Sequence, residues 1–405
     1  MRPGQGLLFL VIALLMTGTV LVNSASLTTA GGSGTTIEEL LMGRNTMFAG
    51  LSVVALWLGT RIRVEGIFTR RGWSSPIPWL LATIVISLLL VHVPGIGREV
   101  NGANRWISLG PIGLQPSEIA KWGVPLIVAW HCCRRAGALG QFWKGFVPPF
   151  ALVSIIATIV AIEDLGTAVL IMLVALAMLI AAGVRLWHVG LLLPAAGAAF
   201  VGMVVTSPYR MNRILAYMDP FKDAQGKGYH VIQSMAAIAG GGLPGRGLGN
   251  GIQKFGYLPE ATTDFIYAIA CEELGIAGAV GILALFVMLA LTGLAIATST
   301  AKATQVDGTV RRIPLTTNLE SLVALGFTLT VSVQALINVA VVTGLAPTKG
   351  IALPLISRGG TGWILTAFSL GMVAAIARAS DARRSSLQLA GMIEPEVDAP
   401  EPLPA

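Results

Sequence analysis

The chain alternates long apolar stretches with short polar connections. Apolar runs of membrane-spanning length lie near 6–23, 46–60, 78–94, 117–133, 147–162, 166–184, 187–206, 274–298, 318–343 and 361–378. A helix of about 20 apolar residues crosses the hydrocarbon core of a bilayer. The pattern therefore predicts an all-α integral membrane protein with ten transmembrane helices, forming one polytopic domain over residues 1–384. Two regions break the rhythm. Residues 207–273 are too long for a simple connection and predict a large loop between the seventh and eighth helices. Residues 385–405 are acidic and Pro-rich, and predict a disordered tail.

The first apolar segment has one Arg before it and small residues after it, as a signal peptide does. Its apolar run exceeds the roughly 7–15 residues of a signal core, so it is taken as the first helix. Composition agrees with the pattern. The chain is 54% hydrophobic and 12% charged, about half the charge of a soluble domain. The net charge of +7 is not a nucleic-acid signature, because the cations sit in short clusters between apolar runs. Arg61, Arg63, Arg70 and Arg71 share one connection, and Arg134, Arg135 and Lys144 another. Lys302, Arg311 and Arg312 share a third, and Arg378, Arg383 and Arg384 begin the tail. These alternate connections lie on one side, which the positive-inside rule makes cytoplasmic. Both termini then face the cytoplasm, and the large loop is extracytoplasmic. Cys132, Cys133 and Cys271 have no metal-type spacing and are expected to be packing residues.

Candidate chemistry gathers in the connections opposite the basic clusters. NGANRWISLGPIGLQPSEIAKW (101–122) places Pro116 where a helix begins, with Glu118 in its first turn. Glu118 and Lys121 share a helix face and suit an ion pair. Arg105 and Lys121 also suit an anion cradle. In IEDLGTAVL (162–170), Glu163 and Asp164 suit helix caps. The 207–273 loop brings Arg210, Arg213, Lys222 and Lys227, then a Gly-rich stretch with Arg246 and Lys254. No strand precedes those glycines, so a dinucleotide fold is excluded, though backbone N–H groups there suit a phosphate. YLPEATTDFIYAIACEELG (257–275) carries Asp264 at the edge of an apolar run, as a helix cap or a reactive acid. Glu272 and Glu273 lie deeper, as functional acids or partners of loop arginines. TGLAPTKGIALPLISRGGTGW (343–363) is interrupted by Pro and Gly around Lys349 and Arg358. Such irregular backbone is tolerated at membrane depth only where it lines a cavity or is buried in protein.

Three of these stretches, in this order, resemble the SEDS family of peptidoglycan polymerases, the FtsW, RodA and SpoVE type. They are the 101–122 motif, GGGLPGRGLGNGIQKFGYLPEATTDFIYAIACEELGIAG, and APTKGIALPLISRGGTG. QKFGYLPE and PTKG resemble the FtsW division branch more than the RodA branch. The resemblance implies ten helices and glycan polymerisation from lipid II. It implies a class B penicillin-binding protein as transpeptidase partner, with other divisome membrane proteins. It makes Asp264 the catalytic residue and carries Arg105, Glu118, Lys121 and Lys349 onto family positions. Four positions depart from the pattern: Thr262 for a usual His, Tyr267 for Phe, Glu163 for Pro, and Arg358 for Tyr.

The implied reaction is attack by the 4-hydroxyl of an acceptor lipid II on C1 of the growing chain's lipid-linked sugar, with undecaprenyl pyrophosphate leaving. A hydroxyl nucleophile needs a base, which Asp264 supplies. The leaving group needs positive charge, for which Arg105, Lys349, Arg210 and Arg246 are the candidates. Glu118, Lys121, Glu272 and Glu273 are expected to hold the cavity. A divalent metal ion is an open addition, since no ligand cluster marks one. Two rival functions stay open: a flippase for lipid-linked precursors, with polar groups at mid-membrane depth, and a non-enzymatic divisome scaffold.

Overall fold

A computed structural model describes residues 2–26, 43–64, 66, 72–100, 103–109, 112–300, 304–306, 309–311 and 318–389. A helix occupies each of the ten apolar runs. They are α1 (Pro3–Ser26), α2 (Arg44–Gly59), α3 (Pro76–Leu90), α4 (Pro116–Arg134) and α5 (Val147–Glu163). They continue with α6 (Leu165–Ala181) and α7 (Leu186–Val205). Two short helices follow, α8 (Pro208–Met218) and α9 (Tyr229–Gly241). The last three apolar runs form α10 (Ile266–Thr300), α11 (Leu319–Val342) and α12 (Thr361–Leu389). Six spans among the described residues are long and apolar enough to cross a membrane: α1, Phe142–Glu163, α7, α10, α11 and α12. α3 and α6 are shorter apolar helices.

Close packing is built on small residues. A Cβ on Gly59 of α2 would lie 2.2 Å from the Phe368 carbonyl of α12, and one on Gly371 would lie 2.3 Å from the Leu56 carbonyl. The two backbones therefore touch, which is how helices gain contact where the hydrophobic effect does not drive them together. Leu14, Leu322, Val373 and Ala374 have no exposed surface in the core so formed.

Two expectations change. The region 207–273 is not one loop: it contains α8, α9 and the first part of α10. α10 itself is two helices joined at Gly275, whose φ of 67° breaks the helix. The interruption is satisfied from outside. Arg246 N donates to Glu272 O, Gly247 N to Glu273 O, and Ile276 N to Gly242 O, at 3.0, 2.9 and 3.0 Å. The Gly-rich chain thus repairs the helix that it interrupts. α12 runs on to Leu389, past residue 384 where the helical domain was expected to end. Residues 390–405 lie outside the described residues.

The structure is not purely helical. Three antiparallel strands, β1 (Gly97–Val100), β2 (Ala103–Leu109) and β3 (Ile112–Leu114), precede α4. A small hairpin joins β4 (Thr304–Val306) to β5 (Thr309–Arg311). The first sheet places Arg105 and Trp106, so it matters for the site.

Candidate active site

The chain between α11 and α12 is irregular, and its polar backbone is satisfied by specific partners. Gln334 and Asn338 lie one turn apart on α11 and share a face. Gln334 Nε2 donates to Ala352 O at 2.7 Å, and Asn338 Nδ2 donates to Ile351 O at 2.7 Å and Asp264 O at 2.8 Å. Arg213 of α8 donates to Thr348 O at 3.0 Å. Leu353 N donates to Ser357 Oγ at 2.7 Å, and Trp363 Nε1 donates to Ser357 O. One helix face therefore fixes both the Lys349 segment and the backbone of Asp264.

This irregular segment lines a large open cavity of about 1630 Å³. Arg105, Asp164, Arg213, Glu260, Asp264 and Lys349 all face it. The expectation that broken backbone marks an internal site is met here.

Asp264 is not a helix cap. α10 starts at Ile266, and Ala268 N and Ile269 N both donate to Phe265 O. Among the described residues the Asp264 carboxylate accepts no hydrogen bond within the chain. Its Oδ2 lies 3.1 Å from where a Cβ on Gly350 would stand, and Arg105 Nη1 lies 4.0 Å from the same point. Acid and guanidinium therefore converge on Gly350. Burial pushes the Asp264 carboxyl up to about 7, helped by Glu260 and Asp164 and opposed by Arg213 and Arg105. An unpaired carboxylate titrating near neutrality is suited to take a proton.

The cations around it are held from behind. Arg105 Nε donates to Glu163 O at 2.8 Å. The Lys349 ammonium lies 5.6 Å from the centre of the Phe200 ring. Burial lowers the Lys349 affinity for its proton; Asp164 opposes that and Arg213 adds to it. Lys121, only 3% exposed, donates to Glu118 Oε1 at 2.7 Å and to Gln334 Oε1 at 2.9 Å. The pair ties α4 to the α11 face that carries the site. Glu118 Oε2 is buried without a hydrogen bond beside the same cavity.

Two expected substrate cations lie elsewhere. Arg210 donates to the carbonyls of Ala161 and Ile162 at 2.7 and 3.2 Å, and to Met203 O at 3.1 Å. Its charge is spent on the C-terminal ends of α5 and α7, where carbonyls are left over. Arg246 donates to Gly240 O at 3.0 Å and lies 3.7 Å from Glu272, again away from the cavity. The Gly-rich stretch is no phosphate cradle either, because the chain's own oxygens take its N–H groups. Ile252 N and Gln253 N donate to Glu272, Gly251 N to Glu273, and Gly249 N to Ser24 Oγ. Glu273 also accepts from Lys254 Nζ at 2.7 Å and from Ser24 Oγ at 2.5 Å. Glu272 and Glu273 are each 1% exposed and hold this loop to α1. Asp164 caps α6, accepting from Thr167 N at 3.0 Å and Thr167 Oγ1 at 2.7 Å, with one edge toward the cavity.

Three residues enter that sequence reasoning did not place in the site. Arg213 stands where Arg210 was expected; both lie on α8, and only the fold separates their partners. Glu260 faces the cavity from a left-handed turn, φ 55°, a conformation that costs a non-glycine residue energy and is concentrated at functional sites. His230 stacks on Phe265 at 5.9 Å. Burial and Arg213 hold its imidazole below the ordinary value, opposed by Glu260. Among the described residues no group of three or more His, Cys, Asp or Glu side chains is arranged to hold a metal ion. No step below is routed through one.

Known proteins carry the same architecture. Residues 5–382 match the family model of FtsW, RodA and SpoVE, described as "Cell cycle protein". A Marinobacter nauticus protein described as "Probable peptidoglycan glycosyltransferase FtsW" is 36% identical, over 93% of this chain and 90% of its own length. A protein of the same description from Alkalilimnicola ehrlichii is 39% identical, over 90% and 86%. A chain from the structure titled "Structural coordination of polymerization and crosslinking by a peptidoglycan synthase complex" aligns with a TM-score of 0.70 at 27% identity, covering 93% of this chain and 98% of that one. The fold also matches the rod shape determining protein RodA of Thermus thermophilus, TM-score 0.60 at 24% identity, over 92% and 96%. With its match running nearly end to end, the chain belongs to the FtsW/RodA/SpoVE family, the SEDS proteins.

Proposed function

We propose that this chain is a peptidoglycan glycosyltransferase that polymerises lipid II into glycan strands. The observation that carries this reading is Asp264: a carboxylate without a hydrogen-bonding partner among the described residues, in a cation-lined cavity and titrating near neutrality. Relatives that carry the glycosyltransferase description, at 36 and 39% identity over most of the chain, support it.

In the mechanism, Asp264 accepts the proton of the acceptor's 4-hydroxyl. The freed oxygen pair forms a bond to C1 of the donor sugar as the C1–oxygen bond to pyrophosphate breaks. Arg105, Lys349 and Arg213 face the departing charge across the same cavity. Their placement before the reaction is what makes such charges effective, since nothing has to reorganise as charge develops. Gly350 leaves space between acid and guanidinium, and Asn338 sets the position of Asp264 through its backbone.

The finer placement belongs to the same proposal. All ten helices span the bacterial cytoplasmic membrane, both termini lie inside, and the cavity opens at the outer face, where the 207–273 region folds. The role is septal synthesis in cell division, with a class B penicillin-binding protein cross-linking the product and divisome membrane proteins as further partners. The structural relative in a peptidoglycan synthase complex supports such a partner. Purified protein incubated with labelled lipid II, alone and with a co-purified transpeptidase, tests the function. Glycan strands are expected in at least one arm. Transbilayer movement of lipid II without strands, in both arms, would instead make the chain a transporter.

A further inference from the structure

Glycosyl transfer between two lipid-linked sugars involves two pyrophosphates. The donor's departs, whereas the acceptor's stays bonded to its own sugar and lipid. The cations around Asp264 answer the first. We propose that Arg44, Arg98 and Arg358 form a second pyrophosphate subsite in the same cavity, for the acceptor. This rests on the polymerase reading above.

All three arginines line the cavity, and all three are exposed to it. Their backbones come from separate elements that the fold joins into one wall. Arg44 opens α2, and its guanidinium lies 5.7 Å from the Phe48 ring centre. Phe48 reaches Gly360, where a Cβ would stand 3.8 Å from its ring, and Arg358 is two residues away. On the other flank Arg98 pairs across β1–β2 with Trp106, so the two side chains leave the same face of the sheet. Trp106 packs on Gly113, whose carbonyl accepts from Thr361 Oγ1 at 3.3 Å. The wall thus runs from α2 through the 358–361 turn to the sheet.

Its charge is available. Among the described residues no carboxylate lies within salt-bridge distance of Arg44, Arg98 or Arg358, unlike Lys254 or Lys121. Three guanidinium groups at one open wall suit a diphosphate, which accepts planar, paired hydrogen bonds. The wall also touches the catalytic loop. Arg358 N donates to Thr262 O at 2.8 Å, two residues before Asp264. The Asp264 loop therefore meets the donor cations at Gly350 and the second wall at Thr262. An acceptor held at the second wall would bring its sugar toward the acid while separate cations near Gly350 hold the leaving group.

The test is binding stoichiometry, which does not depend on turnover. Purified full-length protein in phosphatidylcholine nanodiscs is titrated with farnesyl pyrophosphate by calorimetry. Two molecules per chain are expected. Arg44→Gln with Arg358→Gln should leave one site and weaken the other about tenfold or more. Lys349→Gln should weaken the donor site, and Arg358→Lys, which keeps the charge but loses the planar fork, should weaken the second site less than Arg358→Gln does. One molecule per wild-type chain overturns the proposal. So does a second site that phosphatidylglycerol in the nanodisc fills in competition, since the wall would then hold lipid headgroups. Two sites without any lipid II polymerisation would leave the subsite standing and sink the polymerase reading instead.

Discussion

Asp264 and the Glu272–Glu273 pair lie within one turn-and-helix stretch, yet the fold treats them in opposite ways. Glu272 and Glu273 are almost wholly buried and accept hydrogen bonds from three loop N–H groups; a fourth, Gly249 N, donates to Ser24 Oγ, which itself donates to Glu273. Lys254 completes the cluster with a fully buried ion pair. Asp264 is half-buried and accepts none within the chain; Glu260, Asp164, Arg213 and Arg105 act on it as charges, without a hydrogen bond. The first arrangement holds structure, because every acceptor is used. The second keeps an acceptor in reserve, and burial, only partly offset by Arg213 and Arg105, raises its proton affinity into the range of a base. Depth in the apolar run does not distinguish them; the partner set does.

The contrast breaks most sharply under substitution. Asp264→Asn should cut lipid II polymerisation by about 10³-fold or more with an unchanged melting temperature, since general-base catalysis contributes on that order. Titration sharpens the same point. With Asp264 carrying the reactive pair, the acid must be ionised, so the rate should rise with pH through about 7 and level above it. By about pH 5 it should be roughly a hundredfold lower. A rate that is flat between those values in wild-type protein would place the base elsewhere.

On the structural side, Glu273→Ala should lower the melting temperature, at a cost of about 3 kcal/mol for leaving Lys254 buried and unpaired. Activity per folded molecule should survive. Gly350 lies beside the acid. Gly350→Ala puts a methyl group 3.1 Å from Asp264 Oδ2, and should reduce turnover about tenfold by displacing the acid, with stability intact. The smallest effect is expected at Arg210→Gln. It braces helix ends outside the cavity, so the KM for lipid II should change by less than about twofold, whereas Lys349→Ala should raise it clearly.

How far the sequence reached follows from these physical distinctions. Apolar period and length located the long helices, because a long apolar run leaves a one-dimensional record. The Pro116 start of α4 and the Glu118–Lys121 pair were legible, since caps and i,i+3 neighbours are local. The broken 343–360 segment was legible as a cavity wall, because exposed backbone has no alternative at that depth. Arg210 and Arg213 were not separable: three residues apart on one helix, they reach helix-end carbonyls and the cavity respectively. The Gly-rich stretch looked free for phosphate because nothing local says that acids about 20 residues later in the chain fill it. The strand Ala103–Leu109 was missed because its alternation is short and its partners are set by turns. Asp264 itself was ambiguous between cap and base until the start of α10 placed it outside the first turn.

The most direct measurement runs polymerisation and thermal unfolding on the same preparations of wild type, Asp264→Asn and Glu273→Gln. A crossing is expected. Asp264→Asn unfolds with wild type yet makes no glycan strands, and Glu273→Gln unfolds early yet polymerises per folded molecule. Near-normal strands from Asp264→Asn, or an inactive but fully stable Glu273→Gln, would contradict it.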